Sequence, residues 1–340
     1  MNVQGMTFAQ LRANSELLRA QFGATGRELH VDRALTNVAI DHRPVGFIAD
    51  LIFPVADVPN QSDHYKQFGR GDSFRVEDTR RSPGTAAKEV VRSVSSDTFY
   101  AENYALAYPI TVEDRANADP IIVTKLFNGA AMFLTDKLSL DWENRVAALA
   151  FNTSNVGTSS AVSSAWTAIE GSADPVADVF SIIDNVHDLT GYRPNNLTFG
   201  ETAWRYFRRH QKVRNFIIGT NRGGGTVTRQ QVADLFEVER ILVGGAFKAA
   251  AAEGLGDDSV TKIWGPNVLA YYAPANPSIE VPSFGYTFRW RKPGLPNMTA
   301  ERIPLDRRLK TEWVEVGYYQ DEKVVGSEFG AMLIAVDSST

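Results

Sequence analysis

Between Ile121 and about Asn152, apolar side chains recur at three- and four-residue steps: Val123, Phe127, Ala130, Leu134, Leu138, Trp142, Val146 and Leu149. That period puts them on one face of a helix. Asp119-Pro120 stands in front of it, an N-cap residue followed by a proline suited to the first helical position. Some 30 residues at the helical rise make a rod of roughly 45 Å, a scaffold for whatever packs along it. Asp174-Pro175 repeats the start signal, Val176, Val179, Ile183, Val186 and Leu189 line one face, and Gly191 marks the stop. A short apolar stretch at 196–200 leads into a helix carrying Trp204 and Phe207, and Thr228-Arg229-Gln230-Gln231 has capping-box form. With strands read at 241–247, 262–265 and 267–274, residues 175–280 alternate helix and strand as an α/β subdomain. The Ser/Thr-rich stretch 152–166 reads as a loop. The tail from Glu312 onward reads as a last pair of long strands.

The first part of the chain has a different texture. Thr7 opens a capping box, and Phe8, Leu11, Leu18 and Phe22 form a stripe too thin to anchor a core. From Ala24 to Pro44 the pattern is polar and irregular, so residues 1–45 read as an arm. Residues 46–112 read as extended, closing on a period-two run of Tyr104, Leu106, Tyr108 and Ile110. Between them lies a charged stretch with weak alternation and a turn at Ser82-Pro83-Gly84. The simplest geometry is a long two-stranded ribbon with its tip near Arg80–Lys88. An isolated hairpin is marginal in water and needs another surface. Its charges, among them Arg70, Arg75, Glu77, Asp78, Arg80, Arg81, Lys88, Glu89 and Arg92, balance in sign. That suits a ribbon laid over a neighbouring subunit, and equally a solvated hairpin curled onto its own domain.

Composition narrows the function. The 340 residues carry 35 Lys+Arg against 40 Asp+Glu, a net charge of −5, which disfavours a sequence-reading DNA binder. Zero cysteines exclude disulfides, thiolate chemistry and Cys-ligated zinc. No targeting segment or apolar run of membrane-spanning length is visible, so the chain reads as soluble and cytosolic. Catalytic signatures are missing too. There is no Gly-Lys dipeptide for a P-loop; Gly223-Gly224-Gly225 reads as a loop, and Gly254-Leu255-Gly256 lacks the rest of a dinucleotide fingerprint. The five histidines are scattered without metal-ligand spacing. Glu113-Asp114 precedes the long helix and suits its N-terminal dipole, and Arg208-Arg209-His210 either touches phosphate or serves a helix C-terminus. No catalytic, cofactor-binding or metal-binding residue is singled out.

The order of parts (polar arm, charged ribbon, long helix, α/β subdomain, terminal strands) resembles the major capsid proteins of tailed bacteriophages, with the Hong Kong 97-type fold. The stretches at 47–69, 104–119, 190–213, 263–274, 282–290 and 321–336 carry the resemblance, which covers nearly the whole chain. It implies an α+β fold divided into an N-terminal arm (1–45), an extended loop with flanking strands (46–112), a peripheral domain (113–174 with 291–340, on the helix 120–152) and an axial domain (175–290). It implies a non-enzymatic protein without cofactors, whose partners are copies of itself in hexamers and pentamers and, by non-specific contact, packaged double-stranded DNA. A portal protein and a separate scaffolding protein complete the set, because only some 45 residues precede the fold. The location implied is the virion, assembled in the host cytoplasm, with no membrane contact. The nine charged ribbon residues, Arg70 through Arg92, are then candidates for inter-subunit contact. An encapsulin-like compartment shell, and an enzyme with an unrecognised carboxylate site, remain as other readings.

Overall fold

The computed structural model describes residues 32–42, 46–68, 74–90, 94–117, 120–162, 164–219, 227–251, 260–278, 281–291, 298–306 and 308–337. Helices and strands are mixed along the chain, in the α+β class expected. Two compact units form, a larger one within 43–104, 136–297 and 318–340, and a smaller one within 1–42, 105–135 and 298–317.

In the larger unit a five-stranded sheet runs in the order β5 (Thr158–Ala161), β14 (Gly330–Ile334), β10 (Val268–Tyr271), β6 (Asn196–Gly200) and β7 (Arg240–Gly244). Strands β10 and β14 are apolar runs and, like β6, are buried along almost their whole length, the pattern of a sheet with cover on each side. Helix α5 (Pro175–Thr190) packs on β10 and β14. The Asp174 side chain accepts from the Ala177 N–H at 3.2 Å, Pro175 fills the first turn, and Gly191 ends the helix at φ +71°. Its buried face, Val179, Ile182, Ile183 and Val186, shares one core with Phe199, Phe207 and Phe236. Helices α6 (Glu201–Arg209) and α7 (Gln211–Ile218) follow, then α8 (Arg229–Phe236), where Thr228 and Gln231 close the expected capping box. Strands β8 (Phe247–Ala249) and β9 (Val260–Lys262) make a small exposed hairpin. The Gly223–Gly225 and Gly254–Gly256 segments lie outside the described residues.

The stretch 152–166 is not simply a loop: it holds β5, parallel to β14, and ends on buried Trp166, whose Nε1 donates to Asp178 Oδ2 at 2.9 Å. The tail is not a pair of long strands. Fourteen-residue β13 (Thr311–Val324) alternates between faces, whereas five-residue β14 is apolar throughout and belongs to a different sheet.

A second set of strands in the larger unit places β1 (Val55–Val58) parallel to β11 (Gly285–Trp290), which runs antiparallel to β13. The long helix α4 spans Pro120–Ala150, as its period predicts. Within this unit it buries Leu138 and, beside α2 (Ala49–Ile52), Glu143, Val146, Ala147 and Ala150. Arg145 on the same helix holds Glu322 at 3.0 and 3.1 Å and lies 3.8 Å from the Tyr104 ring centre.

In the smaller unit, α4 buries Phe127, Ala130, Ala131, Leu134 and Thr135. Strands β4 (Glu102–Thr111) and β12 (Met298–Asp306) both pair with β13. Against β12 lies α1 (Arg33–Asp41), a helix in a segment read as irregular. Asp32 caps it, accepting from Ala34 and Leu35, and Thr36 exchanges hydrogen bonds with Ala300 at 3.0 and 3.3 Å. Glu113 and Asp114, read as serving the dipole of the long helix, belong to another helix. They form the first turn of a separate short helix, α3 (Val112–Ala116), capped by Thr111. Glu312 pairs with both Arg115 and Arg302, and the Arg302 guanidinium lies 4.1 Å from the Phe127 ring centre. The Thr7 helix and Asp119 lie outside the described residues.

Candidate inter-subunit surface

The extended segment starts from a fixed base. Strands β2 (Ser62–Phe68) and β3 (Val94–Tyr100) pair antiparallel, with Tyr65 opposite Asp97. Tyr65 and Phe99 are buried against Phe288 of β11, ring centres 5.3 and 4.6 Å apart. The Tyr65 hydroxyl donates to Asp97 Oδ2 at 2.9 Å. Together with the Thr98 backbone N–H, which contributes more, it holds the Asp97 carboxyl below the usual carboxylate range. The Tyr100 N–H donates to Asp321 Oδ2 at 2.9 Å and ties the strand end to β13.

Beyond the base, where the ladder was expected to run as far as Arg80–Lys88, residues 75–90 carry no strand; the described pairs reach Phe68 and Val94. Weak alternation gives neither side a face to bury, and Pro83 offers no backbone donor. The turn forms where the sequence puts it. Thr85 donates to the Ser82 carbonyl from its N–H and its hydroxyl, at 3.3 and 2.8 Å, and Gly84 sits at φ +83°. Every residue from Phe74 to Val90 is exposed except half-buried Glu77.

Of the nine charged candidates, Glu77 and Lys88 form an ion pair. Asp78 accepts from the Arg80 N–H at 3.0 Å, and Arg81 Nε donates to the Thr85 carbonyl at 2.6 Å. Arg75 and Glu89 are exposed, while Arg70 and Arg92 lie outside the described residues. Apolar side chains share this exposure: Val76 is 96 % accessible and Val90 67 %. Phe74 returns to its own unit, its ring so close to Gly191 that a Cβ there would stand 2.6 Å from Cζ. Charged and apolar side chains exposed together on one segment can recognise a surface.

Sequence reading missed one buried residue that ties α4 to the start of α2. Glu143, buried on α4, accepts from the N–H groups of Ile48 (3.0 Å to each oxygen) and Ala49 (2.8 Å) and from Trp264 Nε1 (2.6 Å). Burial pushes its carboxyl up to about 7, against the three donors that favour the ionised form. Its position, four and seven residues before buried Ala147 and Ala150, was the available signal: a carboxylate inside an apolar stripe.

Among the described residues no His/Cys/Asp/Glu cluster suited to a metal occurs, and no helix is long and apolar enough to cross a membrane. No family profile matches the chain. It is 29% identical over 268 residues to the major capsid protein of Burkholderia phage BcepMu, covering 76% of this chain and 83% of the relative. It is 27% identical over 261 residues to that of Pseudomonas phage JBD67, with the same coverages. Among solved structures, a phage-related protein from Bordetella bronchiseptica matches with a TM-score of 0.71 and 26% identity, over 90% of this chain and 97% of that one. The capsid of cyanophage P-SCSP1u shares the fold at a TM-score of 0.55 and 13% identity, over 98% and 100% of the two chains. In sequence the chain is similar to the major capsid proteins of these two phages, and it shares the fold of a phage capsid protein.

Proposed function

We propose that this chain is the repeating subunit of a phage head, assembling through hexamers and pentamers into an icosahedral shell around double-stranded DNA. The observation that carries the reading is the sequence similarity to major capsid proteins over three-quarters of the chain. The exposed segment 74–90 supports it, because its uncovered valines and balanced charges are what a neighbouring copy would bury and register. The sequence relatives are phage proteins, which favours a virion over an encapsulin-like compartment. In this reading residues 1–45 are an arm, 46–112 the extended loop, 113–174 with 291–340 the peripheral domain and 175–290 the axial domain. A separate scaffolding protein and a portal protein are the partners of assembly in the host cytoplasm, and the DNA is met by non-specific contact.

Size-exclusion chromatography and negative-stain microscopy of expressed protein, with its scaffold where one is required, test the reading: capsomers or closed shells are expected. A monomer that never associates under any assembly condition would overturn it. Arg80→Glu with Arg81→Glu should lower particle yield roughly tenfold, the effect of about 1.4 kcal/mol of lost association energy. Subunit stability should stay within about 0.5 kcal/mol, as for other exposed changes. Unchanged yield would remove the loop charges from the interface.

A further inference from the structure

We infer that one side of α6 in the larger unit is where this chain meets the phosphate backbone of double-stranded DNA. This rests on the shell reading above, which brings DNA to the chain by non-specific contact, and assigns that contact to named residues. Arg208-Arg209-His210 has two roles open to it from sequence, phosphate contact or service at a helix C-terminus. The terminus is served without the arginines. The His210 N–H donates to the Tyr206 and Phe207 carbonyls at 3.1 and 3.2 Å. Helix α7 starts directly afterwards, at Gln211, and sets the positive end of its own dipole next to the negative end of α6.

The two sides of α6 differ sharply. Ala203, Trp204 and Phe207 are buried, while Thr202, Arg205 and Arg209, three and four residues apart, share the opposite side with Arg208 at its edge. Lys262 of β9 joins the same row, its Nζ donating to Thr202 Oγ1 at 3.2 Å. Four cations thus line about 10 Å of helix. Lys212, on α7, is paired with Asp174 at 3.2 Å, but none of the four has a carboxylate partner among the described residues. Arg209 is exposed, and Arg205, Arg208 and Lys262 are half-buried, so packing already limits the freedom of their stems. Over 201–218 five basic side chains stand against one acidic, in a chain whose net charge is −5. Three of the four cations in the row are guanidinium groups, whose planar fork matches phosphate oxygens in pairs. One DNA strand offers a phosphate every 3.4 Å of axis or so, so the row spans about three of them. An acidic protein segment fits less well, because protein interfaces put an apolar core inside a polar rim and α6 exposes no apolar side chain.

Anisotropy titrations of the full unassembled chain with a labelled duplex of about 30 base pairs test the site through salt. Four phosphate contacts give a slope of about −3.6 in log K against log salt, a roughly hundredfold loss of affinity between 0.05 and 0.2 M sodium chloride. Arg205→Gln, Arg208→Gln and Arg209→Gln together should cut the slope to about −0.9 and the loss to about fourfold. Arg205→Lys, Arg208→Lys and Arg209→Lys together keep the charge and should hold the slope. An unchanged slope in the glutamine variant would overturn the site, and so would an equal reduction in Arg80→Gln with Arg81→Gln. Poly-L-glutamate that displaces the labelled duplex as well as unlabelled duplex does, at equal charge, would overturn it in favour of an acidic protein. The absence of native cysteine lets Arg209→Cys report which way the row faces in a shell. It should resist a bulky maleimide polymer in intact particles and react once they are dissociated. Reaction in intact particles would put the row outside, away from the DNA, and overturn the site while the shell reading stands. Absence of any particle in the unsubstituted protein would overturn the shell reading, and with it the role given to this row.

Discussion

Glu143 shows how one carboxylate can organise three segments. It joins α4, the start of α2 and the Trp264 indole through hydrogen bonds of 2.6–3.0 Å. Removing it with Glu143→Ala leaves three buried N–H groups without their acceptor, which should cost the unassembled subunit roughly 3–5 kcal/mol in urea denaturation. The pH dependence has a definite sign. A carboxyl at about 7 in the folded state against an ordinary 4.5 binds more protons folded than unfolded, so its contribution to stability grows as pH falls from 7 towards 4.5. His210 acts the other way. It is buried, neither ring nitrogen has a hydrogen-bond partner among the described residues, and desolvation, then Lys212, lowers its pKa from 6.5. Its neutral form is favoured in the fold, so stability present above pH 6.5 is lost as pH falls below that value. Denaturation profiles between pH 5 and 7 should therefore steepen towards acid loss in Glu143→Gln and flatten in His210→Phe. Profiles unchanged in both would remove these two groups from the acid response.

At the scale of elements, the base of the extended segment is the part that rigidifies it. Phe99 is 1 % accessible and stacks on Phe288 at 4.6 Å, so Phe99→Ala should cost about 3–5 kcal/mol. The β2–β3 ribbon should become a preferred site of limited proteolysis even when the rest of the subunit resists. Equal protease resistance in the variant would show that the ribbon is held by other contacts. Elements with local signals were legible in the sequence. Asp174-Pro175 to Gly191, the Thr228 capping box and the period of α4 each state a boundary through their own neighbours. Elements that depend on distant partners were not. Strand β5 exists because its Thr-Ser-Ser-Ala run pairs with β14, more than 150 residues later, and α1 because its buried face meets β12. The charged loop was legible in composition and turn, but not in its lack of strand over 75–90, because no alternation marks that change.

At the scale of the whole molecule, two kinds of exposed chemistry are set to act together in assembly, and salt separates them. In the proposed shell the loop charges would act between copies over distances that shrink from about 10 Å at 0.1 M to 3 Å at 1 M ionic strength. The exposed valines of the loop act only in contact, and excluded salts such as sulfate strengthen their burial. Assembly followed by light scattering should therefore slow by roughly tenfold between 0.05 and 1 M sodium chloride, as steering is screened. The Arg80→Glu, Arg81→Glu protein should start slow and change little over the same range. Sodium sulfate at equal ionic strength should recover part of the particle yield in both, because the apolar contact survives the loss of steering. Equal salt dependence in the two proteins would mean that charges elsewhere guide the encounter, and a loss of particles in sulfate would mean that polar contacts rather than buried valines hold the shell.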